Sequence, residues 1–509
     1  MNFSFNLVDQ PWIPCTDKNG RRIELGLRDV LVMAHELSEI IGDNPITTAA
    51  LYRIALAILY RVFSPKVRQN WSELWQGKKW EVDKLDEYFS HWRGRFDLFD
   101  PEFPIFQDPS NIRKPKNVAS LIQGVAAGAD ATLFCHRTET SDYFLTPAEA
   151  ARALVATQTF GLAGTAGAGL AFSDASCCRA AIFLVEGENL FETLALNLTR
   201  YPLPDNRFNH SPKDCPSWEM DAPNTNAPER PYGYLDYLTW HNRSVKLVAE
   251  EYDGAVVVRD MVYGPGLRLP GTLFNPMVQF FANKKEGFRP LRFSEEKSLW
   301  RDSIALFEVN KVGEKKNKPP YALEWLGSLV SEDILPHHKA FHLMALGMAT
   351  EPGKDKVYFM RQERLPLPLE YLTNPELVTR LEKVILYAEN TGKVLWGALK
   401  HLAVMYLEPF SDPSDPKQRK PKEIPDLIEH WGAERSFWSS LEQPFFRVIV
   451  DLPEASDRAL EVWKKDVNRA AYAAFNLAEN ALGNDTRAWK AIVGARSQLN
   501  FGLSKLNAG

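Results

Sequence analysis

Cysteine is scarce in this chain. Cys15, Cys135, Cys177, Cys178 and Cys215 are the only five in 509 residues, and no CxxC spacing occurs. An odd, scattered set predicts neither a disulfide framework nor a zinc site. The first residues, Met1 to Asp9, contain no basic segment and no long apolar run, so no leader is read there. Uncharged apolar stretches long enough to span a bilayer are also lacking. The expectation is a soluble, cytoplasmic protein without a membrane partner. Positive charge is not in excess: the formal net charge is −5 and the pI about 6.1. Such a chain does not wrap nucleic acid by its overall field, although a local basic patch is compatible with it.

Catalytic signatures are missing as well. There is no P-loop, no GxGxxG after a strand, no HExxH and no GxSxG. His337-His338 is the one adjacent histidine pair, and neighbouring side chains diverge too far to share a metal. Cys177-Cys178 reads as two small buried side chains. No metal, no cofactor and no enzymatic activity are expected.

What is abundant is core material. Apolar residues make up 45% of the chain and aromatics 12%, with 14 Trp and 29 Phe, enough for a large folded protein of about two or three domains. One stretch stands out, Gly161-Leu162-Ala163-Gly164-Thr165-Ala166-Gly167-Ala168-Gly169, with four glycines in nine residues. Ahead of it, Thr146-Pro147-Ala148-Glu149 is a capping box with proline at the first helical position. A glycine loop on a fixed helix suits a nucleic-acid backbone, a nucleotide phosphate or a close-packed partner chain, and equally suits an ordinary mobile turn.

Along the chain, Asn44-Pro45 predicts the start of a helix, and Asp253-Gly254 predicts a hairpin between two valine-rich strands. Tyr234 to Trp240 reads as strand-like. The string from Phe96 to Gln107 sets four phenylalanines among prolines and carboxylates and reads as a buried loop. From about residue 370, four amphipathic stretches at helical spacing predict a four-helix bundle. The fold class is α+β, with a large mixed α/β N-terminal domain over residues 1–368 and the bundle over 369–509. The glycine stretch, an aromatic-bearing segment at Ala131–Arg137 and a basic turn at Ala349–Lys356 together suit the reading of a narrow groove by width and a few contacts.

These residues resemble the CasA family, the large subunit of the type I-E CRISPR Cascade complex. The resemblance rests on Leu7-Val8-Asp9-Gln10-Pro11-Trp12-Ile13-Pro14, on the Phe96–Gln107 string with its closing Pro-x-Phe-Gln, on Tyr237-Leu238-Thr239-Trp240 followed by Arg243, and on Phe437 to Phe445. It spans essentially the whole chain. It implies a non-catalytic subunit that recognises the protospacer-adjacent motif in double-stranded DNA and helps open the duplex for guide pairing. It also implies docking of a helicase-nuclease effector. Partners would be target DNA, CRISPR RNA and other Cascade subunits. By position, Phe134, Cys135 and His136 correspond to the segment facing the guide-RNA handle. Gly161, Gly164, Gly167 and Gly169 correspond to the glycine loop near the motif, and Arg268 to a minor-groove lysine. Lys354, Asp355 and Lys356 correspond to a wedge that splits the first base pair. The wedge here lacks the amide side chains of some members, and the glycine spacing differs. The readings from other classes are a nucleotide-binding enzyme using Gly161–Gly169 and a purely structural interaction subunit.

Overall fold

The computed structural model describes residues 3–123, 143–166, 170–204, 211–220, 230–270, 273–283, 287–295, 297–308, 317–350, 357–407 and 423–508. The chain divides into two compact units, Met1–Ser294 with Lys311–Arg364, and Glu295–Asn310 with Leu365–Gly509. Compared with the sequence-based division at residue 368, the second unit also takes in the 295–310 segment.

In chain order the first unit holds β1 (Ile13–Asp17), β2 (Arg22–Leu25), α1 (Leu27–Val32), β3 (Leu37–Ile40), α2 (Pro45–Phe63), α3 (Arg68–Gly77) and α4 (Val82–Trp92). Next come β4 (Lys116–Asn117), α5 (Pro147–Phe160), β5 (Gly164–Ala166), β6 (Leu170–Phe172), β7 (Ile182–Glu186), α6 (Leu190–Asn197) and α7 (Tyr234–Leu238). They are followed by β8 (Arg243–Tyr252), β9 (Ala255–Pro265), β10 (Phe280–Asn283) and β11 (Gly287–Pro290). The short helix α8 (Ser303–Phe307) belongs to the second unit, and α9 (Tyr321–Ser331), β12 (Ala340–Thr350) and β13 (Val357–Pro368) follow it. Among the described residues, three small sheets are ordered β2-β1-β3, β4-β9-β8 and β13-β12-β7, beside the two-stranded pairs β5-β6 and β10-β11.

The central helix of the first unit is α2. Asn44 caps it by accepting the Thr47 amide at 2.9 Å, and Pro45 occupies its first turn. By length and composition α2 could cross a membrane, but most of it is buried inside the unit. Its Arg53, also buried, donates to the carbonyls of Tyr237 and Leu238 at 3.2 and 3.4 Å. These carbonyls lie in the last turn of α7, where a cation is favoured. The stretch expected to be a strand, Tyr234 to Trp240, is thus helical over Tyr234–Leu238. The reason is tertiary: Asp214 accepts the amides of Leu235 and Asp236 at 3.2 and 2.9 Å, capping a helix that is too short to form alone.

The Asp253-Gly254 turn has φ of 50° and 76°, the left-handed pair a tight hairpin requires, and β8 and β9 pair antiparallel on either side of it. The Phe96–Gln107 string is a buried support for this hairpin. Gln107 accepts the Leu247 amide at 2.8 Å and donates to the Leu98 carbonyl at 2.7 Å. The opening phrase is equally architectural. Trp12 is fully buried with its indole N–H on the Leu7 carbonyl at 2.9 Å. Arg152 of α5 reaches the Trp12 carbonyl at 3.0 Å and Asp43 at 2.8 Å.

The second unit is helical, as the periodicity predicts. Three long members are α10 (Pro375–Leu407), α14 (Ser456–Asn480) and α15 (Thr486–Ala508). The remaining stretch is divided among α11 (Glu423–Trp431), α12 (Ala433–Ser440) and α13 (Glu442–Asp451). Gly432, with φ of 63°, separates the first two, and Pro444 can sit only in the first turn of the third. Two glycines let helices approach. A Cβ on Gly392 of α10 would lie 2.8 Å from the Trp438 ring, and one on Gly502 of α15 would lie 2.5 Å from Val394. The aromatic centre is Trp300, stacked on Phe445 with centroids 4.7 Å apart and edge-on to Trp463 at 6.2 Å. Trp463 in turn donates to the Val384 carbonyl at 2.8 Å. Replacing Trp300 by alanine is expected to destabilise this unit by about 3–5 kcal/mol, the range for a large buried aromatic. Denaturant unfolding followed by far-UV circular dichroism should show the helical transition moving to lower denaturant.

Candidate nucleic-acid interface

The glycine stretch follows α5, whose capping box is formed: the Thr146 amide donates to Glu149 at 2.8 Å and the Glu149 amide to the Thr146 hydroxyl at 3.3 Å. The helix ends at Gly161, which is buried. A Cβ there would lie 2.7 Å from the Thr157 carbonyl oxygen and 3.1 Å from the Arg243 guanidinium. Gly161 therefore packs closely against the end of its own helix and against Arg243. Beyond it the stretch is a β-hairpin rather than a simple loop. Gly164 pairs with Phe172, Thr165 with Ala171 and Ala166 with Leu170. Gly164 is half-buried, and a Cβ on it would lie 3.0 Å from the Phe172 ring, so it too serves packing. Gly167 and Gly169 lie outside the described residues.

Arg243 holds the base of this hairpin. Its side chain is buried and donates to the carbonyls of Gly161 and Leu162, each at 2.8 Å. It also donates to the Asn242 carbonyl at 2.8 Å and to the Tyr263 hydroxyl at 3.0 Å. Its guanidinium lies 4.6 Å from the Phe172 ring centroid. A buried cation is tolerable only when its donors are satisfied, and carbonyl oxygens, a hydroxyl and a π-face do so here. Gln158 completes the joint: its side chain accepts the Arg243 amide at 2.8 Å and donates to the Arg243 and Phe106 carbonyls at 2.8 and 2.9 Å. Burial raises the Tyr263 hydroxyl pKa, and the adjacent Arg243 charge works against that rise.

A second anchor runs from the hairpin to β12. The Ala163 amide donates to Asp174 at 2.8 Å, Arg179 donates to Asp174 at 2.5 Å, and Arg179 also donates to the Thr350 hydroxyl at 3.0 Å. Burial pushes the Asp174 carboxyl upward, but the Arg179 and Ala163 hydrogen bonds outweigh it and hold the group below its ordinary value. Thr350 ends β12 and lies within the Ala349–Lys356 stretch singled out in the sequence. Lys354, Asp355 and Lys356 of that turn, and Phe134, Cys135 and His136 of the earlier segment, lie outside the described residues.

Arg268 is exposed and makes no hydrogen bond or ion pair among the described residues. The backbone leading to it is fixed, because the Gly266 amide donates to the Asn242 carbonyl at 3.2 Å and the Leu267 amide to the His241 carbonyl at 2.7 Å. A Cβ on Gly266 would lie 2.4 Å from the His241 carbonyl oxygen. One frame therefore carries the glycine hairpin, the exposed Arg268 and the end of β12. Chemically it offers an exposed guanidinium, unpaired among the described residues, fit for phosphate or groove contacts. A phosphate cradle at the start of the glycine stretch is disfavoured. The adjoining helix end is a C-terminus with partial negative charge, and the carbonyls of Gly161 and Leu162 already serve Arg243. Among the described residues no cluster of three or more His, Cys, Asp or Glu is placed to hold a metal. The anchors Asp174, Arg179 and Thr350 carry no local signal in the sequence. Arg243 does, standing three residues after Trp240 in one of the phrases that mark the family.

A family profile described as CRISPR-associated protein Cse1 matches residues 6–474. The chain belongs to the Cse1 family. It is 34% identical to the CRISPR-associated protein CasA/Cse1 of Thermus thermophilus, covering 98% of this chain and 96% of that one. The crystal structure of Thermus thermophilus CasA superposes with a TM-score of 0.81 at 29% identity, covering 99% of this chain and 100% of the other. A chain of a CRISPR RNA-guided surveillance complex shares the fold, with a TM-score of 0.77 at 24% identity over 97% and 99% of the two chains.

The Asp174 anchor of this Cse1-family chain should be acid-sensitive. A carboxyl held below its ordinary value stabilises the fold above the unfolded value of about 3.8 and loses that contribution as the pH falls through the lowered native value. Amide protection of Ala163 by hydrogen exchange is expected to be pH-independent near neutrality, once corrected for intrinsic exchange, and to fall below about pH 4. In Asp174→Ala it should already be low at neutral pH.

Proposed function

We propose that this chain serves in an RNA-guided CRISPR surveillance complex in the cytoplasm, where it recognises the protospacer-adjacent motif in double-stranded DNA and helps open the duplex for guide pairing. The observation that carries this reading is Arg268, exposed and unpaired among the described residues, on the same frame as the glycine hairpin. An exposed guanidinium on a held backbone is suited to the minor groove, where width and a few contacts are read. Gly167 and Gly169 are the two glycines proposed to approach the motif. Lys354, Asp355 and Lys356 follow the anchored end of β12 and are the proposed wedge. Phe134, Cys135 and His136 are proposed to face the guide-RNA handle. Other Cascade subunits and CRISPR RNA are the proposed partners, with a helicase-nuclease docking after the duplex opens. The role is recognition rather than catalysis. The net charge of −5 supports weak DNA binding by the isolated chain and strong binding in the assembly, because phosphate neutralisation sets non-specific affinity.

In the assembled complex, Arg268→Ala is expected to weaken binding to motif-bearing duplex by about 5- to 150-fold, the range for one specific contact, with little change on motif-free duplex. Electrophoretic mobility shifts on the two duplexes measure this, and equal loss on both would count against motif reading. Joint replacement of Lys354 and Asp355 by alanine should slow strand opening more than initial binding. Permanganate footprinting reports the opening, and an unchanged rate would sink the wedge assignment.

A further inference from the structure

A cleft of about 340 Å³ in the first unit shares no residue with the frame that carries Arg268. Part of its lining is one face of α9, since Tyr321, Glu324, Trp325 and Ser328 fall at i, i+3, i+4 and i+7. The rest includes Lys66, Val67 and Arg68 at the start of α3, and Arg200 shortly after α6. Arg68 ties α3 to α9, donating to the Ser328 hydroxyl at 3.1 Å and pairing with Glu332 at 2.6 Å. Its charge is thereby answered within the protein.

Lys66 and Arg200 differ from it. Both are exposed, and neither makes a hydrogen bond or ion pair among the described residues. Their backbones are adjacent: the Tyr201 amide donates to the Pro65 carbonyl at 2.9 Å, and the two cations flank this bond. Like charges side by side repel each other, and an anion shared between them relieves the repulsion. Against the pair the lining sets one carboxylate, Glu324, which has interactions of its own. The cleft therefore stays positive.

Two further features favour an anion here. No side chain caps the start of α3, and uncapped amides at a helix N-terminus carry partial positive charge. Trp325 is buried, and its indole N–H has no acceptor among the described residues. A buried polar atom without a partner calls for an explanation, and an anion in the cleft that Trp325 lines supplies one.

We propose that this cleft binds a phosphate group, held by Lys66 and Arg200 with the start of α3 and the Trp325 indole as further donors. Lysine supplies a point charge, arginine a fork that can engage two oxygens, and the helix start backbone N–H groups. Donors from three separate parts of the chain suit a tetrahedral phosphate better than a planar carboxylate with two oxygens. The same chemistry is offered by a free phosphate compound and by the backbone of a nucleic-acid strand.

The test uses the purified full-length chain alone, so its outcome is independent of motif recognition in the assembled complex. Isothermal titration calorimetry with pyrophosphate reads the free source. Fluorescence anisotropy of a labelled oligothymidylate, at the same ionic strength, reads the strand. Binding of pyrophosphate assigns the site to free phosphate compounds, and binding of the oligonucleotide alone assigns it to a strand. Lys66→Glu and Arg200→Ala, both at exposed positions, should each weaken that binding about tenfold, the scale of one lost charge-assisted contact, with unchanged circular dichroism. Polyglutamate competing as well as the phosphate probe would overturn the phosphate assignment in favour of an acidic peptide. Absence of binding by both probes at millimolar concentration overturns the proposal. So does binding that the folded Lys66→Glu and Arg200→Ala variants leave unchanged.

Discussion

A buried guanidinium must have its donors met, and in the first unit that requirement organises everything near the glycine hairpin. Arg243 reaches two consecutive carbonyls just after α5, the carbonyl of the residue before its own strand and a tyrosine hydroxyl on the next strand. At residue 161 a Cβ would lie 2.7 Å from the Thr157 carbonyl oxygen, so the exit from α5 admits no side chain there. The Phe172 ring that covers the guanidinium would lie 3.0 Å from a Cβ on residue 164, so a side chain there would require the ring to shift. Both glycines thus border the site of this cation. Their role is to let the hairpin sit on its support.

Asp174, Arg179 and Thr350 extend the same logic to β12. The frame joins positions far apart in sequence, so the loops that leave it start from fixed points. Recognition surfaces are commonly built this way, with variable loops on a scaffold whose own hydrogen bonds are complete. The exposed Arg268 has the opposite character. The backbone leading to it is bound and its side chain is unpaired among the described residues, as expected of a group that finds its partner in another molecule.

Local signals are legible wherever the chemistry is local. The Thr146–Glu149 capping box, the Asn44-Pro45 start of α2, the Asp253-Gly254 hairpin and the helical periodicity after residue 370 all involve residues within a turn or two of each other. Tyr234 to Leu238 reads as strand in the sequence, but folds as helix, because its cap, Asp214, is distant along the chain. The glycine stretch reads as a loop because strand pairing between Gly164 and Phe172 leaves no period-2 pattern in three-residue strands. Trp300 gives no sign that it joins the helical unit, since its partners Phe445 and Trp463 lie well over a hundred residues away.

The family phrases illustrate the division most clearly. By sequence alone, Leu7–Pro14, Phe96–Gln107 and Tyr237–Arg243 establish family, fold class and a helical C-terminal region, because they encode buried contacts that recur wherever this fold is built. They do not say which residues face outward. Trp12, Gln107 and Arg243 turn out to be internal supports, whereas Arg268, in no such phrase, is the exposed guanidinium. Only the tertiary structure decides this, because burial depends on which distant backbone closes over a side chain, and no local pattern records it.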